Sequence, residues 1–214
     1  INYILNDNQQ VRKLLELPLE SSEVVGNEVV SRLLDGLVTC ISIMRYLLED
    51  KVDHLINNLI NTLVVQIRLA YKYSENSNFK SHLVELSTKI YNAKQVKFLG
   101  SGENFNAAKY LAILAIKRFC KPCAFDILEN HKHIDMSAEP LTISIISNIL
   151  DEGYQSDAYS EIEKAHSHNN VPIIITNTFD NRFDDTDMYV IKIPYFNKDI
   201  LLLTYAILFR RLLC

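Results

Sequence analysis

The stretch Val96-Lys97-Phe98-Leu99-Gly100-Ser101-Gly102-Glu103-Asn104 decides the fold that the sequence predicts. It begins as a short strand, breaks at two of the chain's five glycines, and leads into a helical pattern. Glycine at a strand end permits a tight turn and lets a ligand approach the backbone, while the first amides of the next helix point outward. The stretch therefore predicts the strand, turn and helix of a phosphate site at the carboxyl edge of a parallel sheet.

The same turn also has an interpretation without a ligand. Phe105 occupies the third glycine position of the dinucleotide pattern G-x-G-x-x-G, so dinucleotide binding is not favoured. A strand-to-helix turn that merely requires glycine explains the residues as well as a phosphate site does. If a ligand binds here, the candidate ligand-binding residues are Gly100, Ser101, Gly102, Glu103 and Asn104.

Apolar runs of strand length alternate with helical patterns through the C-terminal part of the chain. Continuous β-branched runs between helices are typical of a parallel sheet covered on both faces, so residues 95–214 are predicted to form an α/β domain. The predicted strands are 96–99, 141–146, 171–176 and 189–193, and the predicted helices are 104–119, 155–166 and 199–213.

Residues 1–94 are predicted to be helical almost throughout, because apolar residues recur at helical spacing. The predicted helices are 7–17, 24–48, 53–73 and 78–92, with a loop at residues 74–78. The apolar positions that define the last two helices are Leu55, Leu59, Leu63, Ile67 and Leu69, and then Leu83, Leu86 and Ile90.

Composition excludes several classes of protein. Of 214 residues, 48% are hydrophobic and 22% charged, which is typical of a globular protein rather than a disordered one. The net charge of -4 disfavours binding to nucleic acid, which needs a positive surface. The apolar runs are shorter than a bilayer span, and the start of the chain lacks a signal-peptide pattern. We therefore expect a cytoplasmic protein, or a piece of a longer one, that does not bind a membrane.

The cysteines and paired histidines do not form a standard metal site. Cys120 and Cys123 have redox spacing, but Cys120 falls at the C-terminal end of a predicted helix, where the dipole does not activate a thiol. We expect these two cysteines to be buried apolar residues instead. The pairs His131/His133 and His166/His168 have the wrong spacing for a zinc finger and are expected in surface loops.

The turn after the second predicted strand is another candidate site. Ser147 and Asn148 follow the strand, and polar residues continue through 153–156, which could form a cup for a polar ligand. Against this, Asp151 and Glu152 would repel a phosphate, and Ser156 is better explained as a helix cap.

Acid and base groups are concentrated between the first two predicted strands. Glu129, His133, Asp135 and Glu139 could reach a cleft from this segment, where proton transfer needs titratable groups. A solvated charged loop is the alternative. The candidate catalytic residues are Glu129, His133 and Glu139.

The order of these elements resembles a sugar isomerase (SIS) domain. Residues 96–214 are similar to the second isomerase module of the glucosamine-6-phosphate synthases (glutamine–fructose-6-phosphate aminotransferases), whose F-L-G-R-G corresponds to Phe98-Leu99-Gly100-Ser101-Gly102. Residues 18–50 resemble the tail of a preceding module. The resemblance implies a SIS-type parallel sheet flanked by helices and preceded by a helical N-terminal region.

The sequence departs from the family pattern at its catalytic positions. Lys117 stands where the family has the glutamate base, and a charged lysine does not act as a base without a strongly lowered pKa. Ala138 stands where the family has the histidine for ring opening, and the family's C-terminal lysine tail has no counterpart before Cys214.

Two functions remain open at this point. In the first, the chain is part of an isomerase or aminotransferase acting on fructose 6-phosphate or a related sugar, with Glu129, His133 or Glu139 moving a proton between C1 and C2. In the second, it is a non-catalytic module that senses a phosphosugar or supports a dimer. Neither requires a metal or an organic cofactor. The resemblance also implies a homodimer or a companion SIS module.

Overall fold

A computed structural model of the chain describes residues 24–48, 53–133, 141–148, 152–167, 171–178, 181–183 and 188–213. Its helices are α1 (Val24–Leu48), α2 (Asp53–Ser74), α3 (Ser77–Asn92), α4 (Glu103–Phe119), α5 (Glu152–Ser167) and α6 (Leu201–Leu208). Its strands are β1 (Val96–Leu99), β2 (Cys123–Asp126), β3 (Leu141–Ile146), β4 (Ile173–Thr176) and β5 (Tyr189–Lys192). Short 3-10 turns cover Leu128–His133, Asn181–Phe183, Lys198–Ile200 and Arg210–Leu213. The helix expected at 7–17 lies outside the described residues.

The five strands form one parallel sheet in the order β2-β1-β3-β4-β5. From β1 the chain crosses to β2 on one side and then returns past β1 to β3 on the other, so the winding reverses between β1 and β3. In sheets of this kind, ligands bind in the crevice outside the carboxyl ends of the strands where the winding reverses. Those ends are Leu99 and Ile146.

The α/β fold predicted from the sequence is confirmed, with one strand more than expected. The residues of β2, Cys123-Ala124-Phe125-Asp126, include no β-branched side chain, and the strand lies at an exposed edge of the sheet, so the apolar pattern of a buried strand is missing. The last helix is shorter than predicted, because 3-10 turns replace its first and last parts.

The start of α5 corrects a second expectation. The helix begins at Glu152 rather than at residue 155, so Ser156 lies inside it and does not cap it. Residues 153–156 are therefore helical and do not form the cup that was one interpretation of this turn. The candidate ligand groups after β3 are reduced to Ser147 and Asn148.

The larger core lies between one face of the sheet and helices α1, α2, α3, α4 and α6. Helix α6 is at its centre: seven of its eight residues are buried, and it packs on α1, α2 and α4. A helix that is apolar all round is stable only when neighbours surround it. The N-terminal helices and the sheet thus share one core through α6, and a smaller core lies under α5 on the opposite face.

Only some of the apolar positions that define α2 lie on its buried face. Leu63 and Ile67 are buried, but Leu55, Leu59 and Leu69 are 65%, 37% and 37% exposed. The helix instead buries the face formed by Ile60, Leu63, Val64, Ile67 and Ala70. For α3 the expected buried residues are confirmed, with Phe79 in addition.

The predicted loop at 74–78 is shorter in the structure, because α2 ends at Ser74 and α3 begins at Ser77. The side chain of Asn76 caps α3 by accepting hydrogen bonds from the amides of Asn78 and Phe79 at 2.9 and 3.4 Å. Such a cap satisfies amides that have no partner within the helix.

A buried arginine ties the C-terminal turn to this junction. The guanidinium of Arg210 donates to Ser74 Oγ at 2.5 Å and to Glu75 Oε1 at 2.7 Å. It also lies 4.8 Å from the ring centroid of Tyr71. Its side chain is only 5% exposed, and Glu75 provides a negative charge beside it.

Glu75 also binds two further cations, Lys80 at 2.7 Å and Arg211 at 2.9 Å. The hydrogen bond from Lys80 lowers the pKa of the Glu75 carboxyl, and the charges of the two arginines add to this against the opposing effect of burial. The carboxylate is therefore stabilised in its charged form by the fold.

The turn from β1 to α4 requires both of its glycines. A Cβ on Gly100 would lie 2.6 Å from the carbonyl oxygen of Asn104, a distance that only displacement of the backbone could relieve. Gly102 has φ +59°, which side-chain-bearing residues rarely adopt. Helix α4 starts after Gly102 without a side-chain cap.

The variant Glu75→Gln is expected to lower the free energy of unfolding by about 1–2 kcal/mol at neutral pH, because it removes the carboxylate charge that the buried Arg210 binds at 2.7 Å. Folding lowers the pKa of Glu75. The contribution of its carboxylate to the free energy of unfolding is therefore present above pH about 4.3, the unfolded-state pKa, and is lost as the pH falls through the lower pKa of the folded state. Denaturant unfolding across pH measures this, with Glu163→Gln on the exposed side of α5 as the control. Equal stability of the two variants at pH 7 would contradict the role of Glu75.

The variants Gly100→Ala and Gly36→Ala are expected to change stability in opposite directions. Gly100→Ala should lower the free energy of unfolding by about 2 kcal/mol or more, since the new methyl group meets backbone. Gly36 lies within α1 with nothing near its Cβ position, so Gly36→Ala should raise stability by roughly 0.5–1 kcal/mol. Thermal and denaturant unfolding measure both; a Gly100→Ala protein as stable as the wild type is the result that contradicts the packing described.

Candidate functional site

The carboxyl ends of β1 and β3 bring together the residues singled out at the two turns. Ser101 and Asn104 follow β1, and Ser147 and Asn148 follow β3. Helix α4 begins at the same place, with Gly102 at the N-cap position and no side-chain cap. A helix start without a side-chain cap, beside hydroxyl and amide side chains, is suited to a polar or anionic ligand.

Asn104 and Ser147 form a reciprocal buried pair across the crevice. Asn104 Nδ2 donates to the Ser147 carbonyl at 2.9 Å, and Ser147 Oγ donates to Asn104 Oδ1 at 2.6 Å. Tyr205 of α6 donates to Ser147 Oγ at 3.2 Å, and burial raises the pKa of this phenol, which keeps it neutral. The two residues are 4% and 2% exposed, so they position the ends of α4 and β3 and do not offer open ligand groups.

Asn148 holds the next strand end in place. It has φ +59°, and its amide N–H donates to Asn177 Oδ1 at 2.8 Å. Asn177 Nδ2 donates back to Asn148 Oδ1 at 2.6 Å, and Asn148 Nδ2 donates to the carbonyl of Phe196 at 2.6 Å. The side chain of Asn148 is therefore occupied by the protein and fixes the rim of the crevice.

Ser101 connects the glycine turn with the acid-base segment. Its hydroxyl donates to Glu129 Oε2 and accepts from the amide of Leu128 at 3.1 Å. Glu129 is exposed in the 3-10 turn that follows β2. The structure thus brings one candidate catalytic carboxylate to the candidate ligand-binding turn, although the two are 28 residues apart in sequence.

A cleft of about 290 Å³ lies beside this pair, between the 3-10 turn and α5. Glu129 lines it together with Asp157, Glu161 and Lys164, and Lys164 binds Glu161 at 2.8 Å. Because three carboxylates and one lysine line the cleft, its net charge is negative and would repel a phosphate. An anionic group therefore fits better at the start of α4 than in the cleft.

The remaining residues singled out in the sequence are Glu103, Glu139 and His133, and the cysteines Cys120 and Cys123. Glu103 is exposed in the first turn of α4. Glu139 and the side chain of His133 lie outside the described residues. The expectation that Cys120 and Cys123 are buried is wrong for Cys120, which is exposed at the end of α4, while Cys123 is half-buried.

Sequence reasoning missed three groups at the carboxyl edge. Tyr205 belongs to a helix that the sequence marks only as apolar, and Asn177 follows a strand whose end carries no recognisable motif. Lys192, the last residue of β5, donates to the Thr178 carbonyl at 3.3 Å, which places a cation at the same edge of the sheet. The parallel order of the strands is the signal that could have found Asn177 and Lys192, since all carboxyl ends lie at one edge.

In the ranges that the structure describes, no group of three or more His, Cys, Asp or Glu side chains could hold a metal ion. Over the same ranges, none of the helices combines the length and the apolar character that a membrane crossing needs.

No protein-family model and no curated protein matches the chain. Solved structures do. The C-terminal domain of glucosamine-fructose-6-phosphate aminotransferase from Francisella tularensis matches with a TM-score of 0.60 at 11% identity, over 86% of this chain and 52% of that one. The chain therefore spans about half the length of that domain.

Two shorter proteins match over most of their own length. An E. coli CFT073 protein solved in complex with a ligand has a TM-score of 0.56 at 16% identity, over 75% of this chain and 90% of that one. A Listeria monocytogenes protein described provisionally as a sugar-phosphate isomerase has a TM-score of 0.52 at 16% identity, over 76% of this chain and 86% of that one. At these identities the likeness is one of fold, and the fold of this chain is that of the SIS-type sugar isomerase domains.

Proposed function

We propose that this chain binds a phosphorylated sugar in the crevice at the carboxyl ends of β1 and β3. The observation that carries the proposal is the Ser101–Glu129 hydrogen bond beside the uncapped start of α4, which joins a donor-rich turn to a carboxylate at the point where the winding reverses. The resemblance to sugar isomerase domains favours this ligand over other anions.

The phosphate would sit at the amino end of α4. There the backbone amides at Gly102 and Glu103 offer donors without a side-chain cap, and Gly100 keeps the turn free of a Cβ. Glu103 would contribute its amide while its exposed carboxylate stays in solvent. The buried Asn104–Ser147 pair would keep these amides fixed, which lowers the entropy that binding costs.

The sugar would extend toward Glu129. A carboxylate that accepts a hydrogen bond from Ser101 can take a proton from one sugar carbon and return it to the neighbouring carbon, while a hydroxyl proton passes between the oxygens of the same two carbons through an enediol, as aldose–ketose isomerisation requires. This chemistry uses side chains alone and needs no cofactor. We therefore propose isomerisation of a ketose or aldose 6-phosphate such as fructose 6-phosphate, with His133 and Glu139 as further candidates for proton transfer.

The proposal extends to assembly and location. SIS-type sites of the resembled synthases are completed by a neighbouring subunit or module, so we propose a homodimer or a companion SIS module. A cytoplasmic location would supply sugar phosphates and keep the exposed thiol of Cys120 reduced.

Calorimetric titration with fructose 6-phosphate, glucosamine 6-phosphate and inorganic phosphate tests the binding site. We expect saturable binding of a sugar phosphate, and at least tenfold weaker binding in Ser101→Asp, because the added carboxylate repels the phosphate. Ser81→Asp, at an exposed position of α3, makes the same chemical change away from the crevice and should bind like the wild type. Absence of sugar-phosphate binding, or equal affinity in both variants, contradicts the proposed site.

Exchange of the C1 hydrogens of fructose 6-phosphate in deuterated water, together with deuterium at C2 of the aldose 6-phosphate formed from it, tests the role of Glu129. We expect Glu129→Gln to slow exchange by about 10²-fold or more while sugar-phosphate affinity stays within about threefold. Glu163→Gln serves as the control for a lost carboxylate. If the wild type binds the sugar phosphate without any exchange, the chain is a sensing module; if Glu129→Gln exchanges normally, the base is another residue.

A further inference from the structure

The outer face of α2 carries large apolar side chains that the fold leaves in solvent. Leu55 and Val65 are 65% and 62% exposed, and Leu59 and Leu69 are 37% exposed each. With Thr62, they lie on one side of the helix at the spacing of a packed stripe. We call Leu55, Leu59, Thr62, Val65 and Leu69 the outer stripe. Helix α2 thus has two apolar faces, and its other face is the one that packs into the core.

The outer stripe is symmetric about Thr62. Leu59 and Val65 lie three positions from Thr62 on either side, and Leu55 and Leu69 lie seven positions from it. Two copies of α2 placed antiparallel across a two-fold axis at Thr62 would therefore set Leu55 against Leu69 and Leu59 against Val65. A two-fold contact needs a surface that complements itself in this way.

The residue on the axis is suited to this position. Thr62 Oγ1 donates to the Asn58 carbonyl at 2.9 Å, so its hydroxyl needs no partner across an interface. Its small side chain allows two helices to approach at the distances of ordinary helix packing. The antiparallel arrangement also sets the positive end of each helix dipole beside the negative end of the other.

The area of the stripe sets how much of a contact it can supply. The stripe runs from Leu55 to Leu69, about 21 Å along a helix of 22 residues. One third of the circumference over that length has an accessible area on the order of 300 Å². Two copies bury on the order of 600 Å² through the stripe, so residues that flank it would supply the rest of the roughly 1000 Å² of a specific interface.

We propose that the outer stripe is the two-fold interface of a homodimer, in which α2 pairs antiparallel with α2 of a second copy. The inference rests on the homodimer proposed above and assigns it a surface. This face is remote in sequence from the residues of the crevice, so it is tested separately from sugar-phosphate binding.

The first test compares Val65→Glu with Val84→Glu by size-exclusion chromatography with light scattering. Val84 on α3 is 67% exposed and outside the stripe, which makes it a matched control. We expect the wild type and Val84→Glu to show twice the chain mass of 24.6 kDa, and Val65→Glu to raise the dimer dissociation constant at least tenfold. A monomeric wild type overturns the homodimer and the interface together. A dimer unaffected by Val65→Glu overturns the interface alone.

The second test establishes the pairing direction. Leu55→Lys and Leu69→Glu should each weaken the dimer, while the double variant should return to within about threefold of the wild type, because lysine and glutamate then meet across the axis. Within one helix these positions are about 21 Å apart and cannot pair. A double variant whose dimer is weaker than the dimer of either single variant overturns the antiparallel arrangement.

Circular dichroism of each variant confirms that it is folded. Titration of Val65→Glu with fructose 6-phosphate shows whether the crevice binds the sugar phosphate independently of the dimer.

Discussion

The buried hydrogen bonds between Asn104 and Ser147 are the constraint on which the candidate site depends. They join the first turn of α4 to the end of β3, and Tyr205 adds the central helix α6 to the same group. Polar groups in so dry an environment are stable only when each finds its partner, so the pairing fixes one arrangement of the three elements. The distance between the glycine turn and the neighbouring strand end is set by this contact. Whatever binds in the crevice meets a preformed rim.

The sequence was sufficient for the elements that a strong local pattern specifies. The glycine pair after Leu99 and the apolar runs at 141–146 and 171–176 predicted the parallel sheet, because burial on both faces demands such residues. Strand β2 was not predicted, because an edge strand with exposed residues need not contain a run of β-branched apolar residues. The contact of Ser101 with Glu129 could not be predicted from spacing, since it arises only once β2 is placed beside β1.

Helix α2 shows a different limit of sequence reasoning. Its exposed leucines recur at the same spacing as buried ones, so periodicity identifies an apolar face without saying what covers it. Only the position of α6 decides which face of α2 enters the core of the chain. Similarly, the net charge of -4 describes the whole surface but not the crevice, where the start of α4 supplies local positive potential.

The central place of α6 also governs the order in which the chain can fold during synthesis. The N-terminal helices are made first, yet the helix that covers their apolar faces is made after them, and Arg210 meets Glu75 across 135 residues of sequence. Until α6 emerges from the ribosome, α1 and α2 expose the surfaces that will become the core, and such surfaces attract chaperones and other nascent chains. Contacts between residues so far apart in sequence also slow folding. The two ends of a long loop must meet before such a contact can stabilise the chain. Docking of α6 is thus the step that covers the core-facing sides of α1 and α2.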